Sequence, residues 1–240
     1  MTDGNMAARL EALERRLSET EALERRLSET DALARRVQEL EDVNAIRRLH
    51  FAYGYFIDKC LYDEAVALFA REGELRFLNG IYHGQTGVRR LYCDWFRNHF
   101  TGGVNGPAHG LLLDHLMMQD IITVSADGQT AEARFRTLMT GGTHESRAPI
   151  FNFPTASWEG GVYENRYVKE DGVWKIAFLN YNMQWQADHH KGWDHDSAHL
   201  AQFDRIFPED PLGPDRLVEA AKPVWPHTQI VPFHYSHPVN

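Results

Sequence analysis

Apolar residues along the first forty positions return every three or four places, at Leu10, Leu13, Leu17, Leu23, Leu27, Leu33, Val37 and Leu40. That spacing marks one face of an α-helix. A literal repeat carries it: EALERRLSET at 11–20, the same ten residues at 21–30, then the looser DALARRVQEL. Glu11–Arg15 and Glu21–Arg25 are favourable i,i+4 pairs. A ten-residue period is about 3.3 residues per turn, tighter than the 3.5 of a regular coiled coil. The pattern therefore predicts a helix, but not a long uninterrupted coiled coil. Its apolar face is expected to dock on the chain's own domain or on a neighbouring subunit, with recognition of another partner as the alternative.

A second helix is predicted over 42–60, where Ile46, Leu49, Tyr53, Phe56, Ile57 and Cys60 keep the 3.6-residue rhythm. Asp63 is placed to cap a short helix, EAVALFAR. GELRFL reads as a strand, NGIYHG as a turn with a short strand, and TGVRRLYCDWFRNHF as a third amphipathic helix. The period then changes to two. Residues 109–126 and 129–140 form a hairpin around Asp127-Gly128, and 156–169 and 173–187 another around Asp171-Gly172. Between the hairpins, GGTHESRAPIFNFPT is too long for a tight turn and reads as a flap bearing Phe151 and Phe153. Helices followed by a meander of long strands is an α+β order.

Beyond Ala187 the periodicity fades, and this segment holds seven of the ten prolines and seven of the thirteen histidines. Its six large aromatic residues, Trp193 to Tyr235, are too many for a disordered tail. It is expected to wrap along the domain or a neighbour. The chain thus divides into an N-terminal helical repeat at 1–41, a central domain at 42–187 and a C-terminal extension at 188–240.

The net charge of −9 argues against nucleic acid or an anionic membrane as partner. No apolar run reaches membrane-spanning length. Two cysteines, Cys60 and Cys93, make no disulfide framework and fit a reducing cytoplasm. Glycine-rich phosphate loops, serine elbows and dinucleotide fingerprints are missing, so no cofactor is expected. The tail segment DHHKGWDHDSAH offers His189, His190, Asp194, His195 and His199, but at spacings of no fixed metal-ligand pattern, and no metal site is expected.

Alternate residues of a strand share a face, so His109, Leu111, Leu113, His115, Met117 and Gln119 are expected to point one way. Two imidazoles and an amide among aliphatic and thioether side chains have the composition of a ligand pocket. The bland alternative is a satisfied core histidine. Asp58 ends the second helix, where the macrodipole disfavours negative charge, so helix stability does not explain it. A carboxylate beside a histidine orients the ring and prepares a general base; a surface or capping aspartate is the other reading.

The succession IRRLHFAYGYFID, YDEAVALFAREGELRF, YHGQTGVRRLY, HLMMQDIITVSADGQTAEARF and GGVYENRYVKEDGVWKIAFLN resembles the nuclear transport factor 2-like superfamily, in its SnoaL-like, dehydratase-type branch. The resemblance covers residues 42–187. It implies a cone-shaped α+β barrel, with a strongly curved antiparallel sheet wrapped around N-terminal helices, here with an extra N-terminal helix and an extended C-terminal tail. It also places Asp58 at the cavity and makes Tyr53 a hydrogen-bonding tyrosine. Tyr55 and His50 are weaker candidates. On the last strand Asn180 and Asn182 alternate with Tyr181, Met183 and Trp185, and one of these two sets is expected to line the hollow; Asn180 and Trp185 are candidate substrate contacts, as are Leu113, Met117, Gln119, Phe151 and Phe153. His109 joins Tyr53, Asp58 and His115 as a candidate catalytic group. Where bile-acid dehydratases carry an arginine, this chain has Met183; Arg134, Arg136, Arg147 or Arg166 are its possible substitutes.

The expected function is that of a cofactor-independent lyase acting on a hydrophobic aromatic small molecule. The aromatic, histidine-rich extension and the PFHYSHPVN ending are similar to the diarylpropane γ-formaldehyde lyases of lignin-fragment catabolism. Two rivals are a non-catalytic carrier of hydrophobic ligands and the small structural subunit of a ring-hydroxylating oxygenase. An open curved sheet exposes apolar surface, so a homo-oligomer is expected, and the dehydratase-type resemblance favours a trimer over a dimer.

Overall fold

No glycine or proline interrupts residues 5–53, so nothing forces the chain out of helix between the repeat and the domain. In the computed structural model, which describes residues 3–151, 153–195, 200–219 and 225–239, a single helix α1 runs Asp3–Asp58. The two helices expected from the sequence are thus one. Cys60, at a φ of +52°, turns the chain out of it. Residues 1–42 and 43–240 form two compact units, and the sheet, the shorter helices and the tail all belong to the second.

Helix α2 (Tyr62–Ala67) starts one residue before Asp63, whose side chain does not cap it. Asp63 instead pairs with Arg89 at 2.7 Å and Arg97 at 2.8 Å. Strands β1 (Phe69–Phe77) and β2 (Gly80–His83) form a hairpin. Helix α3 (Gly84–Arg89) continues through a π-helical stretch, Arg90–Phe96, into α4 (Arg97–Thr101). The long strands are β3 (Leu111–Val124), β4 (Thr130–Thr143), β5 (Ala156–Glu170) and β6 (Val173–Asp188). A short β7 (Arg216–Leu217) comes from the tail. Positive φ angles at Gly128, Asp171 and Gly172 make the two hairpin turns that Asp-Gly predicted.

The seven strands lie in the order β3-β4-β5-β6-β1-β2-β7. All pairings are antiparallel except β1 with β6, which is parallel, so the curved sheet is mixed. The α+β cone expected from the sequence is the fold found.

Three local features decide which side chains face the hollow of the sheet. Gly110, at a φ of +70°, breaks the extended run before β3. A bulge between Met117 and Asp120 shifts the register with β4. On β6 the register with β5 slips twice, between the partners of Gly160 and Gly161 and between those of Arg166 and Tyr167. Each bulge exchanges inward and outward positions beyond it.

The inward face and α1 share a core of Ile46, Tyr53, Ile57, Phe135, Tyr163 and Ile176. His50 is fully buried there. Its ring stacks on Phe135 at 3.8 Å, and Asn165 and the Tyr167 hydroxyl lie 3.3 Å from Nδ1. Burial holds its pKa down at about 3. Between the ordinary value of 6.5 and about 3, the unfolded chain takes up a proton that the folded chain refuses. Stability therefore falls as pH drops through that window, by about 1.4 kcal/mol per pH unit from this group. Urea midpoints between pH 7 and 4 are expected to fall less steeply in a His50→Phe variant than in the native chain; equal slopes would remove His50 from the account.

The tail lies along this same unit. Asn79 and the Phe203 backbone exchange two hydrogen bonds. Arg90 reaches the Gly213 carbonyl and Asp215, and Arg134 reaches the carbonyls of Val231 and Pro232. No helix among the described residues is long and apolar enough to cross a membrane.

Candidate active site

The end of α1 and the first half of β3 meet at one carboxylate. Asp58 Oδ1 accepts from the backbone N–H of His115 at 2.8 Å and lies 2.7 Å from His115 Nδ1. Both side chains are largely buried, 9% exposed for Asp58 and 13% for His115. With Nδ1 donating to the carboxylate, Nε2 is left as the lone-pair nitrogen. The unfavourable place of Asp58 at a helix C-terminus thus has a local compensation: two donors converge on it.

The sheet register places a second acid–base group opposite. His115 pairs with Met139 on β4, and Met139 pairs with Glu159 on β5. The three form one row across the sheet on the same face. At about 4.8 Å between neighbouring strands, the His115 and Glu159 backbones stand about 10 Å apart with Met139 as floor. Burial pushes the Glu159 carboxyl above its ordinary value, partly offset by the Tyr181 hydroxyl and by the charge of His115. Gly161 makes room for that tyrosine, since a Cβ there would lie 2.3 Å from Tyr181 Cε2.

Phenols complete the lining. The Tyr53 and Tyr92 hydroxyls are 2.7 Å apart, and the Tyr163 ring lies 6.2 Å from Tyr53 and 4.9 Å from Tyr181. Burial raises all four phenols well above their ordinary range, so they remain neutral hydrogen-bond donors. The site combines one basic nitrogen, one carboxyl biased toward its protonated form and neutral donors around an apolar floor. That set is suited to moving protons onto and off oxygen or carbon.

Of the residues expected from the sequence, Tyr53, Asp58, His115, Leu113 and Met117 come together here. Met117 fills the space left by Gly54, where a Cβ would meet it at 3.0 Å. Phe153 lies against Gly141, beside Leu113, and packs on Phe100.

The other expected residues are elsewhere. His109 precedes Gly110 and the strand, is exposed, and lies 2.8 Å from the Ser146 hydroxyl. Tyr55 occupies the solvent side of α1 and is 73% exposed. The β3 bulge turns Gln119 outward and Asp120 inward, where Asp120 pairs with Arg47. Gln119 lines a cavity of about 330 Å³ between the outer face of the sheet and tail residues 229–235. Phe151, at the tip of the flap, is 79% exposed.

Asn180 shares the outward phase of its β1 partner Arg76. The bulge at Gln184 puts Trp185 over Gly160, against Trp193 of the tail. Tyr181 and Met183 point inward on β6, paired with Tyr163 and Gly161. Nor does an arginine replace the one looked for: Arg134, Arg136 and Arg166 hold outward positions on β4 and β5, and Arg147 is tied to the Phe100 and His109 carbonyls. In the tail, His189 accepts from the Trp158 indole and His195 pairs with Asp194; His199 lies outside the described residues.

Tyr181 belongs to the inward set of the two that the last strand offers; Glu159, Tyr92, Met139 and Tyr163 are not among the candidates the sequence singles out. Glu159 was within reach, because counting back by twos from Tyr163 through Gly161 lands on it.

A family model described as a SnoaL-like domain matches residues 38–180. No curated protein matches the chain by sequence. Among solved structures, the chain is similar to a protein from Novosphingobium aromaticivorans provisionally assigned as a scytalone dehydratase: 19% identity, 70% of this chain, 98% of that one, TM-score 0.50. It is also similar to a type 2 hexachlorocyclohexane dehydrochlorinase (LinA): 18% identity, 70% and 99% coverage, TM-score 0.51. The type 3 enzyme of Novosphingobium barchaimii gives 17% identity, 69% and 98% coverage, and TM-score 0.50. Likeness at these identities is likeness of fold.

Proposed function

The chain belongs to the SnoaL-like domain family, and we propose that it is a cofactor-independent lyase working by general acid–base elimination on a hydrophobic aromatic small molecule. The observation that carries this reading is the row His115–Met139–Glu159, with Asp58 bonded to the histidine at one end. A base and an acid that face each other across an apolar floor are what an elimination needs: one takes a proton while the other protonates the departing oxygen. The similar folds include proteins described as a dehydratase and as dehydrochlorinases, both eliminating catalysts, which supports the same class here.

The substrate we favour is a lignin-derived 1,2-diarylpropane-1,3-diol with a para-phenol on the ring beside the benzylic hydroxyl. Glu159 delivers a proton to the benzylic hydroxyl, which leaves as water as the ionised phenol pushes electrons to form a quinone methide. His115, held by Asp58, then removes the proton of the terminal hydroxyl. The carbon–carbon bond breaks, formaldehyde departs, and its bonding electrons restore the phenolate and leave a stilbene. One diol gives one stilbene, one water and one formaldehyde. The neutral phenols of Tyr53 and Tyr163 are donors to the oxygens as charge develops on them.

Purified, chelator-treated protein incubated with such a diol is expected to generate stilbene absorbance and an equimolar amount of formaldehyde. Stilbene without formaldehyde, or binding of the diol without turnover, would overturn the lyase assignment; the second result would leave a carrier of hydrophobic ligands.

A further inference from the structure

The tail roofs a second hollow, on the other side of the sheet from Asp58 and His115. Between the outer face of the long strands and residues 229–235 lies a cavity of about 330 Å³. That is within the span of small-molecule pockets, about 300–1,000 Å³. Its walls include Ile121, Val162, Ile230, Phe233 and Tyr235, and Val162 is 2% exposed although it stands on the outer face.

Two irregularities of the sheet aim polar groups into this hollow. The β3 bulge turns Gln119 outward, and Gln184 is the extra residue where β6 slips between the partners of Gly160 and Gly161. Both amides line the cavity, and Gln229 of the tail adds a third. A bulge forfeits ladder hydrogen bonds to re-aim a side chain, and such bulges gather beside sites of function. Curvature of the sheet alone does not require two bulges on different strands to bring the same chemical group to one place.

Charge narrows the ligand. Asp120 belongs to the lining but is taken up by Arg47. Arg134 is spent as well: Glu164 and the carbonyls of Val231 and Pro232 hold its guanidinium, which stacks on Phe233 at 4.2 Å. Arg136, two residues further along the same face of β4, lines the cavity and is exposed, with no hydrogen bond or ion pair among the described residues. The lining therefore keeps one uncompensated positive charge. A guanidinium presents a planar fork that fits a carboxylate at two points. A phosphate dianion would find only this one free cation in the lining, whereas the aliphatic walls and the rings of Phe233 and Tyr235 suit a flat ring.

We propose that the cavity under the tail is a binding site for a small aromatic carboxylate. The carboxylate sits on Arg136, the ring lies between the sheet and the aromatic residues of the tail, and hydroxyl groups on the ring meet the glutamine amides. The site is independent of the chemistry assigned to His115 and Glu159, which face the other side of the sheet.

Calorimetric titration of the full-length protein with benzoate tests this. Saturable binding is expected, at least about tenfold weaker in Arg136→Gln, the loss that follows from removing a charge-assisted pair. Arg136 is exposed, so the variant should keep the native thermal midpoint. Benzamide, which lacks the charge, and acetate, which lacks the ring, should each bind the native protein at least about tenfold more weakly than benzoate. His115→Ala should bind benzoate as the native chain does. No binding up to about 10 mM benzoate would overturn the proposal. So would equal affinity in Arg136→Gln, or equal affinity for benzamide or acetate. Affinity lost in His115→Ala would place benzoate in the other hollow and overturn it too.

Discussion

Replacing His115 with alanine is expected to lower kcat/KM for the proposed diarylpropane diol substrate by about 10²–10⁴-fold, the contribution of a positioned proton-transfer group. Asp58→Asn is expected to come close to the same loss. The carboxylate accepts from both the amide and the ring of His115, and an amide presents a donor where the imidazole needs an acceptor. The two side chains act as a unit, so the double variant should be little worse than the worse single one. Steady-state kinetics on the three proteins, with circular dichroism to confirm folding, checks this. Losses that simply multiply would mean that Asp58 and His115 act separately.

Glu159→Gln is expected to cost about 10²-fold or more in turnover while preserving shape. It also carries a pH signature. Burial raises the Glu159 carboxyl above its ordinary 4.5, and as an acid it works while protonated. Activity is therefore sustained below its folded pKa and declines as pH rises through it. Glutamine cannot titrate, so this alkaline limb should vanish from the kcat/KM profile. A limb unchanged in the variant would belong to another group and would take the acid role from Glu159. Stability moves with the same sign. The contribution of a carboxyl with a raised folded pKa is complete below 4.5 and is lost as pH rises through the folded value. At high pH the variant should thus resist urea better than the native chain.

The elements were largely legible in the sequence because their signals are local. Asp-Gly turns, alternating strands and the helical stripe each speak for the few residues around them, and all four long strands lie close to where the alternation put them. The meeting of Asp58 with His115 was reachable too. A carboxylate at the wrong end of a helix and an imidazole in an apolar strand each ask for a partner.

What the sequence did not disclose depends on phase across distance. His109 was lost to one left-handed glycine, Gln119 to the β3 bulge and Trp185 to the β6 bulge. A bulge has no reliable signature of its own, and it reverses every assignment beyond it. Glu159 escaped for a related reason: its relation to His115 passes through two pairings, and nothing within β5 announces the register of β4. The long helix shows the opposite error. The apolar pattern changes character near residue 42, yet no residue there resists continuing the helix.

The β3 bulge has a consequence for how such a protein diversifies. Before it, Leu113, His115 and Met117 look into the hollow of the candidate site; after it, Asp120 grips Arg47 and fastens the strand to α1. Because the change of phase is absorbed between the two halves, the leading half is free to accumulate new side chains for a new substrate while the trailing half keeps its anchor. One strand serves as both the adaptable part of the vessel and its hinge pin.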